Sequence, residues 1–260
     1  MDSFDQPQGI ARFIWHNTIE TGLVADGAIQ MLLGDLALDL PTRPLAKLEN
    51  VRLLPPCEPR TIVCIGRNYH DHVVEHNAEL PPEPLFFLKP LTTLIGSGEA
   101  IVYPSWVSSH VEYEGELAVV IGRTCYRVDE EDALDYVQGY TCANDVTARD
   151  LQRKDNQWTR GKGFDTFCPL GPVMVQDIDA SDLAITTRVN GVVKQQARTS
   201  DLIFGIPRLI SHVSAVMTLH EGDIILTGTP GGVGPVVPGD VIEVEIEGIG
   251  ILRNAVVAGE

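Results

Sequence analysis

The sequence predicts a mainly β protein with a few short helices, on three observations. Apolar runs are short, rich in β-branched residues and separated by glycine, proline or asparagine. Two of the separators, Asp26-Gly27 and Asn190-Gly191, are hairpin dipeptides whose residues tolerate the positive φ that a two-residue turn requires. Few stretches carry apolar residues at helical spacing.

Taken in order, residues 11–15, 21–24 and 28–33 read as strands joined by turns. Pro41, Pro44, Pro55, Pro56 and Pro59 then punctuate the chain, which places the end of a small N-terminal β domain near residue 55. The expected organisation is therefore 1–55 as that small domain and 56–260 as a larger one. Residues 61–66 read as a short buried strand. The following 67–75 contains a short helix in which His72 and Glu75, three apart, share one side. Residues 85–90 form another strand, and 117–121, closed by Gly122, a buried one. Residues 129–137 read as a helix with acids at its N-terminal end, where the helix dipole favours them. Residues 151–165 are locally basic in an acidic chain, which suggests contact with an anion. Residues 202–219 read as one helix lying on the core. Then come a buried strand at 224–227, a glycine-dense loop at 228–234, and an edge-type strand at 241–246 turned by Gly248-Ile249-Gly250.

The 260 residues are 44% hydrophobic and 21% charged, an ordinary globular balance that excludes a fibrous or wholly disordered chain. A formal net charge of -17 argues against nucleic acid or an anionic membrane as partner, because phosphates would be repelled. The 5 cysteines form no CxxC and no Cys/His zinc spacing, which fits free thiols in a reducing compartment. The start, MDSFDQPQG, is polar and acidic, unlike a signal peptide, and no apolar run approaches the roughly 20 residues of a membrane span. The expectation is a soluble, cytoplasmic protein.

Glu112, Glu114 and Glu116 alternate at the mouth of the 117–121 run, which puts them on one face of an extended chain. Alternating acids are also common on a solvent-facing strand, which spacing alone favours. The acids here, however, enter an apolar run, and a hard divalent cation relieves their repulsion. Asp145, flanked by Asn144 and Arg149, offers a further oxygen ligand. Oxygen-only ligands point to Mg²⁺ or Mn²⁺. His72 and Glu75 suit a general acid/base pair, with the carboxylate orienting the imidazole, although on spacing alone a surface helix with a local ion pair is the better reading. Lys162 lies between Gly161 and Gly163, which permit close approach to a ligand; a solvated loop lysine is the alternative. The 228–234 loop lacks the GKS/T ending of a phosphate cradle and reads as a tight turn whose Thr229 hydroxyl and backbone amides face a carboxylate.

The segments GRNYHDHVVE, PLFFLKP, YEGELAVVIG, DYVQGYTCANDVTARDLQ, WTRGKGFDTFCPLGP, VNGVVKQQARTSDLIF, GDIILTGTPGGVG and PGDVIEVEIEGIG, in this order from about Cys64 to Asn254, resemble the fumarylacetoacetate hydrolase family. The resemblance implies a mixed β-roll catalytic domain, a homodimer, and one Mg²⁺ or Mn²⁺ held by three carboxylates. Glu114 and Glu116 of YEGE match the paired glutamate ligands, and Asp145 of NDVTAR the aspartate ligand. His72 and Glu75 of HVVE match a catalytic pair on a segment that closes over substrate. Lys162 of RGKGF matches the lysine that stabilises a developing enolate. Arg67, Gln152 and Thr229 match positions that contact substrate oxygens. The chain departs from the pattern at Gly163, where serine is common, and at His70, where alanine is common.

The expected substrate is a small-molecule 2-oxo acid. The first functional expectation is an enzyme of aromatic-compound catabolism acting on an enolisable 2-oxo/2-hydroxy-dienoic diacid, of the 2-hydroxyhepta-2,4-diene-1,7-dioate isomerase/decarboxylase type. Its enzymatic alternatives are an acylpyruvate or fumarylpyruvate C–C bond hydrolase and an oxaloacetate decarboxylase. The non-enzymatic alternative is a catalytically inactive metal- or ligand-binding relative.

Overall fold

The computed structural model describes residues 9–25, 27–31, 44–75 and 79–259. Asp26, Leu32, Leu33 and Pro41, which figure in the reading above, lie outside these residues. Strands dominate and arrange into sheets of 12, 3 and 5 strands among the described residues. No helix of these residues is long and apolar enough to cross a membrane.

The central strand, Gly115–Ile121, is buried at every position. It pairs antiparallel with Val137–Asn144 on one side and Ile224–Leu226 on the other. Ile224–Leu226 runs parallel to Ile62–Gly66, which pairs with Leu85–Lys89 at the sheet's edge. In the other direction Val137–Asn144 pairs with Cys168–Val175, and the pair Ile10–Met174 joins Gly9–Trp15 to the same sheet.

The alternation of side chains along a strand explains why the central one is apolar throughout. Leu117, Val119 and Ile121 face a cluster that includes Leu209, Ile210 and Val213 of a helix and Ile185, Val244 and Ile246 of the 5-stranded sheet. Ala118 and Val120 face the opposite way, against Ile62, Cys64, Ala143 and Leu170. Each large side chain so buried contributes about 1.5–3 kcal/mol. Glu116 belongs to the second parity, so it ends the row that begins at Ala118.

Among the described residues four α-helices decorate the sheets: α1 (His70–Glu75), α2 (Arg149–Asp155), α3 (Thr159–Lys162) and α4 (Ile206–Ser214). The locally basic stretch is thus two short helices. The single helix expected over 202–219 is shorter than that. Ile203 donates its N–H to Asn68, Gly205 caps the helix with Pro207 in its first turn, and Leu219 leaves it to bridge Cys125. The acid-led segment forms a 3-10 helix, Glu130–Tyr136, instead of an α-helix. Val241–Ile246 is not an edge: Ala184–Val189 and Gly250–Ala258 pair with it on either side, and its alternation records one covered face.

Candidate active site

The alternating glutamates do not share one face. The chain leaves one sheet after Val111–Tyr113 and enters the central one at Gly115, so Glu114 sits at a break. Glu112 is consequently diverted to the Arg149 Nε, at 2.6 Å, and the His110 ring, at 2.7 Å. Glu114, Glu116 and Asp145 converge instead, each offering an oxygen, with those atoms within 4.8 Å of one another. The strand ladder sets this up. Gly115 lies opposite Asn144; the Glu114 N–H donates to Asn144 Oδ1 at 2.9 Å, and the Asp145 N–H to the Glu114 carbonyl at 2.8 Å. All three acids are buried.

Three buried cations answer these acids. Lys162 Nζ, from the end of α3, lies 2.7 Å from Glu114 Oε2 and 2.6 Å from Asp145 Oδ2. Lys89 Nζ, from the edge strand, lies 2.5 Å from Asp145 Oδ1. Arg149 reaches Glu114 Oε1 at 2.5 Å and Gln152 Oε1 at 2.7 Å. Burial alone would raise the Glu114 carboxyl, but Lys162 and Arg149 outweigh it and hold the group well below the usual range. Burial would likewise lower Lys162, yet Asp145 and Glu114 raise it. The ammonium is therefore the standing form.

Glu116 differs. Among the described residues no cation reaches it, and the Gly228 N–H donates to it at 2.6 Å. Burial, then Asp145 and Glu114, push its carboxyl well above the ordinary value. An uncompensated buried carboxylate beside two others is costly unless a cation shares the site. Three converging hard oxygen donors with that deficit fit a divalent metal ion. Gly228 (φ 101°) permits its own amide contact, since a Cβ there would lie 2.8 Å from Asn68 Cβ.

A cavity of about 640 Å³ opens beside the cluster, and Glu114, Asp145, Lys162, His72, Arg67, Gln152 and Thr229 all line it. Two expected residues do not. Glu116 is buried without lining the cavity, and Glu75 stands 3.8 Å from His72 Nδ1 while accepting the Gly232 N–H at 3.1 Å. His72 is buried on α1, whose entry is fixed by Asn68: its amide donates to Phe204 and Thr227 carbonyls and accepts the Phe204 N–H. Arg67, shortly before α1, sits in the left-handed region at φ 59°. The loop amide does face a carboxylate, that of Glu116. The Thr229 hydroxyl, however, donates to the Gly115 carbonyl at 2.9 Å and accepts from Gln195 Nε2 at 2.7 Å.

Sequence reasoning passed over Lys89, Gln195 and Trp158. Lys89 was visible as the charged residue of LFFLK, but nothing in the chain announces its partner 56 residues on. Gln195 accepts the Gly115 N–H at 3.0 Å and so braces the ligand strand. Trp158 packs edge-on against Phe87 and closes on Gly66, where a Cβ would meet its ring at 2.5 Å.

Comparison with known proteins agrees with this geometry. A model of the fumarylacetoacetate (FAA) hydrolase C-terminal family matches residues 61–257. An uncharacterized protein of Archaeoglobus fulgidus is 57% identical over 210 residues, covering 81% of this chain and 84% of that one. The oxaloacetate tautomerase YisK of Bacillus subtilis is 45% identical over 213 residues, 77% of this chain and 71% of its own. A crystal structure of 2-hydroxyhepta-2,4-diene-1,7-dioate isomerase from Mycobacterium marinum superposes with a TM-score of 0.86 at 42% identity, covering 97% and 99% of the two chains. The chain belongs to the fumarylacetoacetate hydrolase family of enzymes, and its mainly β architecture with a carboxylate cluster able to hold a metal ion is that family's.

Proposed function

We propose that the protein is a divalent-metal-dependent isomerase that relocates a proton within an enolisable 2-oxo dicarboxylic acid. The observation that carries this is Lys162, a buried ammonium held on the cavity wall between Glu114 and Asp145, with His72 lining the same cavity. When bound at Glu114, Glu116 and Asp145, Mg²⁺ or Mn²⁺ would supply Lewis acidity for the carbonyl of the 2-oxo acid.

The chain's own residues do the rest. A proton leaving the carbon next to the carbonyl places negative charge on the carbonyl oxygen, and the Lys162 ammonium stabilises it with its charge and with the N–H that is given to neither the Glu114 nor the Asp145 carboxylate. The His72 imidazole accepts the departing proton and returns it to a different atom of the same molecule, so substrate and product have one composition. Glu75, pinned by the Gly232 N–H, orients the imidazole. Phe87 and Trp158 cover one side of the cavity and limit the entry of water.

The names carried by the B. subtilis and M. marinum relatives support this reading, since a tautomerase and a dienoate isomerase both move a proton without breaking a carbon–carbon bond. Oxaloacetate and 2-hydroxyhepta-2,4-diene-1,7-dioate are therefore the first substrates to test. With Mn²⁺ or Mg²⁺ present, enol absorbance should change at an enzyme-dependent rate with no CO₂ and no fragments formed. Release of CO₂ or of two smaller acids would replace isomerisation by decarboxylation or hydrolysis, and full activity under a chelator would overturn the metal requirement.

A further inference from the structure

The cavity has two chemically different ends. At the inner end Lys162 and Arg149 are each paired with a buried carboxylate. At the outer end Arg67 and Arg153 also line the cavity, both exposed, and neither meets an acid among the described residues. Their neighbour Arg160 is also exposed but is held by Asp155 at 2.5 Å, so exposure alone does not leave an arginine unmatched here. Arg149, Gln152 and Arg153 stand three and four apart on α2 and share one face of it. Arg149 and Gln152 are locked to each other at 2.7 Å, and Arg153 extends the same row along the cavity wall.

Two unmatched guanidiniums facing a cavity oppose the charge of the whole chain, which is -17. They make a local positive potential where the remainder of the protein repels anions. A guanidinium offers paired N–H groups in the geometry of a carboxylate.

We propose that Arg153 determines specificity: with Arg67 at the same rim, it receives the second carboxylate of a substrate whose 2-oxo acid end lies at the Glu114/Glu116/Asp145 cluster. This rests on the 2-oxo diacid reading above and adds the residue that separates a diacid from a monoacid of equal length.

The test is a binding titration of the Mn²⁺-loaded protein with three probes: 2-oxoadipate, 2-oxohexanoate, which lacks the far carboxylate, and oxalate, which reports on the inner end alone. The wild type should bind 2-oxoadipate about tenfold more tightly than 2-oxohexanoate, the scale of one charge-assisted contact. Arg153→Gln should remove most of that ratio, Arg153→Lys should retain part of it, and Arg153→Glu should invert it, with oxalate affinity held within about twofold. Should oxalate binding fail in the Gln variant through collapse of the pocket, the Lys and Glu variants decide by their opposite effects on the ratio. Equal wild-type affinity for the two long acids, or an unchanged ratio in Arg153→Gln and Arg153→Glu, overturns the proposal. No turnover is read, so a protein that proves to be a hydrolase leaves this result standing. An active isomerase with an unchanged ratio sinks the role of Arg153 alone.

Discussion

Lys89 Nζ stands 2.5 Å from Asp145 Oδ1, with both side chains buried. The edge strand thereby holds one oxygen of Asp145 while Lys162 holds the other at 2.6 Å. Removing one partner of such a pair leaves an uncompensated charge, which costs more than the pair itself contributes. Lys89→Met should lower stability by about 3 kcal/mol, read as a shift in the denaturant midpoint. Wild-type stability in that variant would mean that Lys162 alone suffices for Asp145.

Glu116→Gln separates the two roles of the least compensated acid. The amide keeps the shape and removes an acid whose ionised form the fold disfavours, so the metal-free protein should gain about 1 kcal/mol at neutral pH, visible as a higher melting temperature. Metal-dependent turnover should fall at least about 100-fold. Gain of stability with retained activity would place the metal elsewhere.

Metal binding should also move protons, with a sign that can be worked out. In the fold, burial with Asp145 and Glu114 raises the Glu116 carboxyl above its ordinary 4.5. Between those two values the folded chain binds more protons than the unfolded one, so this group makes metal-free stability fall as pH rises. Glu114 acts oppositely: its lowered value contributes stability that is present above 4.5 and lost as pH falls below it. Warming the metal-free protein at about pH 5 and about pH 8 should give the lower midpoint at the higher pH, and Mn²⁺ should raise the midpoint more there. Calorimetry in buffers of different ionisation enthalpy should detect up to about one proton released per ion.

His72→Gln should reduce kcat by about 10²–10³ while leaving Mn²⁺ affinity nearly unchanged, because the converging oxygen ligands belong to Glu114, Glu116 and Asp145. A parallel loss of metal affinity would assign His72 to holding the site together instead.

The 5 cysteines should be inert in the native state. All are buried and free, and burial pushes the Cys57, Cys142 and Cys168 thiols up to about 12. A thiol reagent at about pH 8 should label none of them until denaturant is added, when all should react. Rapid labelling of the folded protein would contradict the packing around them.

Strands and acids were legible in the sequence for one reason: both declare themselves locally. The run after Glu116 is apolar at both parities because both faces of that strand are covered, and a two-residue hairpin at Asn190-Gly191 needs only its own dipeptide. What the sequence withholds is long-range. Alternation put Glu112 with Glu114 and Glu116, but the change of sheet at Glu114 and the arrival of Arg149 from 37 residues away gave Glu112 another partner. The helix after Leu202 was overestimated because its flanking apolar residues are claimed by Asn68 and Cys125, which helical spacing cannot reveal. The Gly228 amide was read correctly in kind, since a glycine-dense loop frees backbone donors, whereas the commitment of the Thr229 hydroxyl to Gly115 depends on Gln195, a residue of a different sheet.

That Gly115–Gln195–Thr229 knot has a kinetic corollary. Because it ties together segments distant in sequence, the carboxylates next to it are already oriented when the chain finishes folding, and an arriving ion or acid finds no conformational search left to complete. Association should therefore run at the speed of dehydration and diffusion, with loosening of the knot felt first as faster escape.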